Sequence, residues 1–489
     1  MKKHLELLLP DHQLPAEVEV NGLTRDSRQV QPGNLFVAVP GVSGDGRQHI
    51  QEAINRQAGA VLYEDGWGQL PASDSVPVFG IKDLGSKVGE MASRFFEHPS
   101  MDMRIVAVTG TNGKTSCSHF VASALNSLGI RCGVVGTLGS GFPEALRNPG
   151  LTTPESIELQ QILAELKKKG AKVVAMEASS HGLDQGRLDG VNVDIAVLTN
   201  ISRDHLDYHS DYEQYKKAKS RLFLRTGLSG MVLNIDDELG RELRGKMQAM
   251  PGLLTYSKED PGADLLAEDL ELNDRGISFS LRIAGARTHI QSPLIGAFNI
   301  SNLLALAGVL YLMRFGSDDI SRRLSSVRGV RGRMDVLKNQ NFPTIVVDYA
   351  HTPDALDKAL QAIRAHCQGK LWCVFGCGGD RDKGKRPEMG AIASRLADRI
   401  VVTDDNPRYE ESEAIIEDIL AGKELSCESE IVPDRSAAIS KAIKNAGPSD
   451  WVLIAGKGHE DYQEIRGQRF PYSDYDVVKE LIGGNTGKH

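Results

Sequence analysis

The sequence predicts an α/β protein of about three domains, built on sheets of mainly parallel strands. Its 489 residues are too many for a single hydrophobic core. Short apolar runs alternate with helical segments along most of the chain, a pattern typical of parallel strands joined by crossover helices. A glycine-rich turn at 109–115 joins one such strand to a helix, as in many α/β proteins.

Three parts of the chain differ in pattern. Residues 1–98 contain short strands in turn-rich sequence and predict a small α/β module. Residues 99–331 predict a central, mainly parallel sheet, and residues 332–489 a Rossmann-like domain. The boundary at 325–333 is rich in Gly and Arg, which suits a hinge. The predicted strands are 35–39, 60–63, 104–108, 173–176, 195–198, 231–233, 344–347, 371–375, 400–403 and 451–454.

Composition excludes several classes of protein. A net charge of −8 and a pI near 5.9 argue against a nucleic-acid or anionic-membrane partner. The start of the chain resembles a signal peptide, but Glu6 and Pro10 interrupt its apolar run, and we expect a short helix of the mature protein. No apolar run approaches the ~20 residues of a membrane span. The six cysteines lack zinc or disulfide spacing, so we expect buried thiols at Cys373 and Cys377 and a reducing cytoplasm. We also expect a monomer.

The segment 104–128 carries the strongest chemical signal. An apolar strand leads into Thr109–Thr115, and a helix is predicted from Ser116 to about Leu128. Glycines let backbone N–H groups face phosphate oxygens, Lys114 can reach the outer phosphates, and the Thr115 hydroxyl can bind Mg²⁺. An ordinary tight turn needs no Lys-Thr pair at the helix start, so we expect ATP or GTP. The residues predicted to hold it are Gly110, Thr111, Asn112, Gly113, Lys114 and Thr115.

Polar segments follow the next two central strands. Glu177 opens one of them, at 177–187, and His205 lies in the other, at 199–209. Because parallel strands end at the same edge of a sheet, both segments should lie near the glycine-rich loop. A carboxylate and an imidazole could complete a metal shell beside Thr115. Taken alone, His205 would favour a solvated loop position.

Lys219 has an unusual predicted position. Drawn as a helix, residues 212–223 place Tyr212, Tyr215, Leu222 and Phe223 on one face, with Lys219 in its middle. Lys216 lies at the edge of that face and Lys217 points away. A desolvated lysine has a lowered pKa, and its neutral amine can react with CO₂ to form a carbamate, which is a metal ligand. The pattern alone favours a snorkelling lysine or a buried ion pair.

Four loops follow strands of the third domain, at 348–354, 376–383, 404–408 and 456–460. Arg381 and Arg408 suit carboxylates, whereas Asp405 and Glu460 suit ammonium groups. Any one loop could be a solvated charged turn. Four at successive strand ends predict a site for a zwitterionic ligand.

These motifs together resemble the Mur ligase family. They are GTNGKT, EASSHGL, TNISRDHLDYH, GAFNISN, GRMD, DYAHTPD, DNPR and GKGHE, with Thr24–Arg28 and Gly44–Arg47 near the start. The absence of the first Walker glycine, where Val108 stands, is itself a mark of the family. The resemblance covers nearly the whole chain. It implies a UDP-binding module at 1–98, a P-loop ATPase at 99–331 and a C-terminal amino-acid-binding domain at 332–489.

The resemblance also implies an activity and its residues. In this family the γ-phosphoryl group of ATP passes to a substrate carboxylate, and an amine then attacks the acyl phosphate. Lys114, Glu177, His205 and a carbamylated Lys219 would be catalytic, and the metal ligands would be Thr115, Glu177, His205 and Lys219. Further ATP contacts would be Asn299, Asn302, Arg333 and Asp348. Contacts to UDP-N-acetylmuramoyl-L-Ala-D-Glu would be Ser27, Thr152, Thr153, Ser179, Gln185 and Arg187.

The incoming amino acid is predicted to be meso-diaminopimelate. Its distal carboxylate could pair with Arg408, whereas lysine would leave that buried charge unpaired, at about a few kcal/mol. The contacts would be Arg381, Asp405, Asn406, Pro407, Arg408, Gly456 and Glu460. The alternatives are a family ligase that adds lysine, another amino acid or a dipeptide, a P-loop GTP switch, and a non-catalytic nucleotide-binding scaffold. No Asn-Lys-x-Asp sequence supports the GTP switch.

Overall fold

The computed structural model describes residues 2–41, 44–68, 73, 75–147, 150–205, 208–424 and 427–483. The chain forms two compact units, Met1–Leu254 and Thr255–His489. None of the helices in these described ranges is long and apolar enough to cross a membrane.

The first unit begins with a small parallel sheet. Leu35 and Val37 pack into one hydrophobic cluster and Phe36 and Ala38 into another, because successive side chains of a strand point to opposite faces. Its strands, in spatial order, are Gly22–Thr24, Asn34–Ala38, Ala60–Glu64 and Val78–Ile81. Lys3–His4 pairs with Glu19–Val20 beside it. The helices and 3₁₀ turns are Leu5–Leu8, Ser27–Gln29, Gly46–His49, Ile50–Asn55, Leu84–Lys87, Val88–Phe95 and Pro99–Asp102.

The same unit contains the predicted central sheet. Its strands, in spatial order, are Gly230–Asn234, Ile195–Leu198, Arg104–Thr109, Val173–Glu177, Cys132–Gly136, Gly139–Phe142 and Ala145–Arg147. The first five are parallel and the last two form an antiparallel edge. Arg104–Thr109 lies between strands that follow it in sequence, so its carboxyl end opens at a topological switch point, where α/β sheets bind ligands. The mainly parallel α/β fold is as predicted.

Helices cover the central sheet. They are Lys114–Asn126, Ser156–Lys168, Ser180–Asp184, Tyr212–Ser220 and Glu238–Lys246. The first begins two residues before the predicted Ser116. The prediction of one helix through Phe223 is wrong, because the chain tightens to a 3₁₀ turn at Arg221–Leu224, as is common at helix ends. Lys216, predicted at the edge of the apolar face, is 9% exposed, and its ammonium bonds Glu242 at 2.8 Å.

The second unit opens with three antiparallel strands that were not predicted. They are Leu265–Asn273, Gly276–Ile283 and Ala286–Ser292, and Leu253–Ser257 spans the division between the units. Two helices follow, Phe298–Leu312 and Ser317–Ser326. The first of them is buried almost all round, as its continuous apolar sequence requires.

A six-stranded sheet completes the second unit. Its strands, in spatial order, are Asp335–Leu337, Thr344–Asp348, Trp451–Ala455, Leu371–Phe375, Arg399–Val402 and Glu428–Ile431, all parallel except the first. Its helices are Pro353–Arg364, Lys385–Leu396, Ser412–Leu420, Arg435–Asn445 and Asp474–Ile482, and Tyr462–Ile465 forms a hairpin with Gln468–Pro471. Cys373 and Cys377 are buried free thiols, as predicted.

Candidate active site

The glycine-rich loop lies at the carboxyl end of Arg104–Thr109, and the neighbouring loop holds it closely. Gly110 has φ +149°, and a side chain there would lie 1.8 Å from Thr199 Oγ1. The Thr111 and Asn112 N–H groups donate to the Asn200 carbonyl and side-chain oxygens at 2.8 and 3.0 Å. The loop is therefore fixed before the helix Lys114–Asn126 begins.

Glu177 lies against the start of that helix. It is fully buried, and its carboxylate accepts hydrogen bonds from Thr115 Oγ1 at 3.0 Å and from Thr137 N and Oγ1 at 2.8 and 3.1 Å. Thr137 Oγ1 also lies 3.1 Å from the Thr152 hydroxyl. The structure thus brings the predicted Thr115 and Glu177 into contact, with Thr152 one side chain away.

Two lysines meet at one carbonyl of the loop. Lys114 Nζ donates to the Gly110 and Thr111 carbonyls, both at 2.8 Å, and Lys219 Nζ donates to the same Gly110 carbonyl at 2.8 Å. Lys219 is 1% exposed and its Nζ lies 4.5 Å from the centre of the Tyr215 ring. The side chain is too deeply buried to snorkel.

The surroundings of Lys219 favour a neutral amine. Burial lowers the pKa of Lys219 well below its ordinary value, the nearby Lys114 charge lowers it further, and Asp204 opposes both. Burial also raises the pKa of the Tyr215 hydroxyl, which pairs with Thr111 Oγ1 at 2.9 Å. A neutral amine at this position is a nucleophile that can react with CO₂.

His205 belongs to a cluster of rings beside these groups. Its ring centre lies 5.0 Å from that of His181 and 6.3 Å from that of Tyr215. Its side chain is 46% exposed, and Nε2 lies 3.6 Å from Asp204. His205 and Lys219 therefore both border the Tyr215 ring. Within the described residues, no three His, Cys, Asp or Glu side chains form a metal-binding group.

A cleft of about 1630 Å³ in the first unit is bordered by three of the predicted substrate contacts, Ser27, Gln185 and Arg187. Arg187 is held by Gln185 Oε1 at 2.6 Å, by the Thr153 carbonyl at 2.8 Å and by Glu155 at 3.0 Å. Ser27 Oγ donates to Glu52 at 2.5 Å. The cleft has charged walls from both the N-terminal module and the central sheet.

The other three predicted substrate contacts do not line this cleft. Thr153 Oγ1 donates to the Glu177 carbonyl at 2.9 Å and accepts from Ser179 N at 3.0 Å. Ser179 Oγ in turn caps the helix Ser180–Asp184 by accepting from Gly182 N at 3.1 Å. Together with Thr152, these side chains support the loop that carries Glu177.

Four predicted ATP contacts lie in the second unit. Asn299 Nδ2 donates to the Ile295 carbonyl and Asn302 Nδ2 to Asn299 Oδ1, at 2.8 and 2.9 Å. Asp348 accepts from Met334 N and Ala350 N at 2.7 and 2.9 Å, and burial raises the pKa of its carboxyl. The Arg333 guanidinium lies 5.2 Å from the Tyr349 ring centre. Asn299 and Asn302 are therefore hydrogen-bonded to each other. Asp348 is linked to Arg333 through Met334, the residue that follows Arg333 in sequence.

Arg408 is already paired, which corrects the argument against lysine. Its Nη1 donates to the Gly379 carbonyl at 2.8 Å and its Nε lies 3.6 Å from Glu464 Oε2. The expectation that lysine would leave Arg408 without a partner is therefore wrong. A ligand carboxylate would bind an arginine that already has partners, so the difference in affinity between the two amino acids is smaller than for an unpaired charge.

The other amino-acid contacts cluster around Asn406. Asn406 Nδ2 donates to Glu460 Oε2 at 3.1 Å, and Asp405 and Pro407 are buried on either side of it. Gly456 approaches Asp405 so closely that a side chain would lie 2.5 Å from Asp405 Oδ2. Arg381 is exposed on the preceding loop. The loops after these strands therefore carry both charge types.

Sequence reasoning missed three contributors to these sites. Thr137 binds Glu177, Thr199 Oγ1 donates to the Asn112 carbonyl at 2.6 Å, and Lys457 bonds Asn406 and Glu460. Thr199 and Lys457 belong to the TNISRDHLDYH and GKGHE motifs, where their sequence positions are typical of ordinary loop residues. Thr137 had one signal, its position directly after a buried glycine-containing strand.

The fold and these loops define a P-loop α/β protein with a second, Rossmann-like ligand domain. Models of three protein families match successive parts of the chain. The Mur ligase family catalytic domain matches residues 19–95, the Mur ligase middle domain 108–310, and the Mur ligase glutamate ligase domain 332–458.

Curated relatives match at full length. The chain is 50% identical over 483 residues to a protein of Pseudomonas aeruginosa and 47% identical over 486 residues to one of Coxiella burnetii, covering 98–99% of each pair. Both relatives are named UDP-N-acetylmuramoyl-L-alanyl-D-glutamate–2,6-diaminopimelate ligase. A solved structure with the same name covers 99% of both chains at 37% identity and a TM-score of 0.76. The chain belongs to the Mur ligase family and is a ligase of this ATP-dependent family.

Proposed function

We propose that this protein is an ATP-dependent ligase that adds meso-diaminopimelate to the D-glutamyl carboxylate of UDP-N-acetylmuramoyl-L-Ala-D-Glu, a step in making peptidoglycan precursors. The observation that carries the proposal is the 46–50% identity, over nearly the whole chain, to relatives that bear the name of this ligase. The loops of the chain agree with it, since one set suits phosphates and the other suits a zwitterion.

The reaction has two steps. A D-glutamyl carboxylate oxygen attacks the γ-phosphorus of ATP, and ADP leaves. The substrate amine then attacks the acyl carbon, loses a proton, and inorganic phosphate leaves as the amide forms. Lys114 and the backbone N–H groups at the start of the helix Lys114–Asn126 would hold the phosphates and balance their charge, which is the main contribution a protein makes to phosphoryl transfer.

The oxygen donors of the first unit fit Mg²⁺. The Thr115 hydroxyl and the Glu177 carboxylate are 3.0 Å apart, and hard oxygen ligands are those Mg²⁺ prefers. We propose that they hold one ion, and that His205 and a carbamylated Lys219 hold a second. Bound Mg²⁺ would supply charge neutralisation at the phosphates. Carbamylation consumes one CO₂ and releases one proton from the Lys219 amine.

We propose that the large cleft of the first unit binds the UDP-linked substrate through Ser27, Gln185 and Arg187. Arg187 provides a fixed guanidinium suited to a carboxylate or phosphate. Thr152, Thr153 and Ser179, which do not line the cleft, would act from the loop beside Glu177. In the second unit, Asn299, Asn302, Arg333 and Asp348 would contact ATP.

In the same proposal, the chain acts as a cytoplasmic monomer of three domains with boundaries near 98 and 331. Its ATP and UDP-linked substrates are cytoplasmic, and its cysteines are free, five of the six being buried. Light scattering of the purified protein at several concentrations would test the monomer.

An amino-acid panel tests the proposed reaction. Purified protein receives ATP, Mg²⁺, UDP-N-acetylmuramoyl-L-Ala-D-Glu and one amino acid, and phosphate release and product mass are measured. We expect meso-diaminopimelate to support ligation and L-lysine to support much less. Omitting the UDP-linked substrate controls for simple ATP hydrolysis. Equal turnover with lysine would contradict the specificity, and no ligation with any amino acid would contradict the function.

A further inference from the structure

Lys457 is a fully buried cation in the loop after Trp451–Ala455. Its side chain is 0% exposed, and Nζ donates to Asn406 Oδ1 at 2.9 Å, to Glu460 Oε2 at 3.1 Å and to the Tyr462 carbonyl at 2.8 Å. An ammonium group has three protons, and all three are used. Lys457 therefore has no proton left for a ligand, but it contacts two residues of the amino-acid site.

Lys457 fixes which way the Asn406 amide points. Asn406 Oδ1 accepts from Lys457 Nζ and from Glu464 N, both at 2.9 Å, and both partners can only donate. The amide oxygen must therefore face Lys457, and Nδ2 must face Glu460, to which it donates at 3.1 Å. A flipped amide would place N–H groups against two donors.

Lys457 also holds one oxygen of Glu460. Glu460 Oε2 accepts from both Lys457 and Asn406 at 3.1 Å, and the side chain remains 17% exposed. Within the described part of the chain, Oε1 has no hydrogen-bond donor. Lys457 and Asn406 thus occupy Oε2 and leave Oε1 available to a substrate ammonium.

We propose that Lys457 is a positioning residue of the amino-acid site, which orients Asn406 and Glu460 for the substrate without touching it. The inference rests on the proposed function. Because Lys457 holds Asn406 and Glu460 in one orientation, these side chains lose less conformational freedom when the amino acid binds. The buried charge of Lys457 would in this way contribute to substrate selection.

Lys457→Met tests the inference, because methionine keeps an unbranched side chain only one atom shorter and removes the charge and the donors. We expect the KM for meso-diaminopimelate to rise about 10- to 100-fold, since two polar groups lose a buried partner. The KM values for ATP and the UDP-linked substrate should stay within about 2-fold, because unrelated sites are independent. A KM for diaminopimelate that is unchanged in folded protein would overturn the inference.

Asp450→Ala is the matched control. Asp450 accepts from Lys370 N at 2.8 Å and Gly447 N at 2.9 Å at the opposite end of the same strand. Removing the Asp450 carboxylate should lower the midpoint of thermal unfolding without changing the KM for diaminopimelate. If this control raises that KM as much as Lys457→Met does, Lys457 has only a structural role. Ligation by the unaltered protein separately decides the proposed function.

A second variant covers poor folding of Lys457→Met. Lys457→Gln removes the charge but keeps an NH₂ group with two donor protons, and we expect an intermediate rise in the KM for diaminopimelate. Because Lys457 acts through Asn406, the same change in an Asn406→Ala background should raise the KM less than it does alone. Fully additive effects would contradict the inference.

Discussion

Burial decides the chemistry of single residues in the first unit. Lys217 and Lys219 lie on the same helix, yet Lys217 is exposed and Lys219 is 1% exposed. The apolar face predicted from sequence placed Lys219 inside, but it could not show that the amine would bond a carbonyl instead of a carboxylate. That partner comes from a distant loop. Burial and the Lys114 charge lower the pKa of Lys219 and favour its neutral form, and no carboxylate pairs directly with Lys219 within the described residues.

Replacing Lys219 tests its proposed carbamate. We expect Lys219→Ala to lose about 10²- to 10³-fold in the ligation rate, because a charged group beside the phosphates is removed. Added formate or acetate should restore part of the rate by occupying the space of the carbamate. Lys217→Ala is the matched control and should retain normal activity. Full activity of Lys219→Ala without added carboxylate would remove the residue from the mechanism.

Arg408 should set the preference for a distal carboxylate. We expect Arg408→Gln to raise the KM for meso-diaminopimelate about 10- to 100-fold, since a charged hydrogen bond is lost, and to change the weak use of lysine much less. Steady-state kinetics with both amino acids measure the ratio. Arg466→Gln, at a side chain 79% exposed on the adjoining hairpin, is the control. An unchanged ratio in Arg408→Gln would assign the preference to other residues.

Among secondary-structure elements, buried parallel strands were the most predictable. Runs such as Ile195–Leu198 and Leu371–Phe375 are continuously apolar because helices cover both faces of their sheets. The antiparallel strand Leu265–Asn273 was missed because its second half is largely exposed and a bulge interrupts it between Glu268 and Glu271. The acidic residues Glu268, Asp269 and Glu271 interrupt its apolar pattern, so the strand is established by pairing with its neighbours.

The end of the strand Cys132–Gly136 leaves room for Glu177, and filling that space tests the position of the carboxylate. A side chain at Gly136 would lie 2.1 Å from Glu177 Oε1 and would displace a carboxylate held by Thr115 and Thr137. We expect Gly136→Ala to lose most ligation activity.

Gly245→Ala is the control, since that helical glycine has open space around it and alanine favours helices. Activity assays and thermal unfolding of both variants separate a displaced carboxylate from a general loss of stability. Normal activity in Gly136→Ala would show that the position of Glu177 is not critical.

The stability of the whole molecule should depend on histidines that are neutral in the folded protein. His366 Nε2 accepts from Gly296 N at 2.9 Å, so Nδ1 carries the proton and faces the Asn273 carbonyl at 2.7 Å. Burial lowers the pKa of His366, and the Lys338 charge lowers it further. Burial and the Arg333 and Arg331 charges lower the pKa of His459 to about 4. Such contacts between distant segments cannot be predicted from sequence spacing.

The sign of the pH effect follows from these shifts. As pH falls below 6.5, the unfolded chain binds protons that the folded chain does not, so the free energy of unfolding falls. We expect a lower thermal midpoint at pH 5 than at pH 8. In His366→Gln the glutamine amide can accept from Gly296 and donate to Asn273, so the decrease in thermal midpoint between pH 8 and pH 5 should be smaller. His459 should account for part of the remaining decrease. An equal drop in both proteins would contradict the assignment.

The two lysines that share the Gly110 carbonyl have a consequence for how the protein must be handled. The Lys219 amine can react with CO₂ only in its neutral form, which the nearby Lys114 charge favours. If ligation needs the resulting carbamate, activity depends on the concentration of dissolved inorganic carbon. Protein stored in degassed, mildly acidic buffer should start slowly and reach its full rate after bicarbonate is added, whereas Lys219→Ala should show no such lag. The supply of carbon dioxide then becomes a variable of the assay, alongside the three substrates.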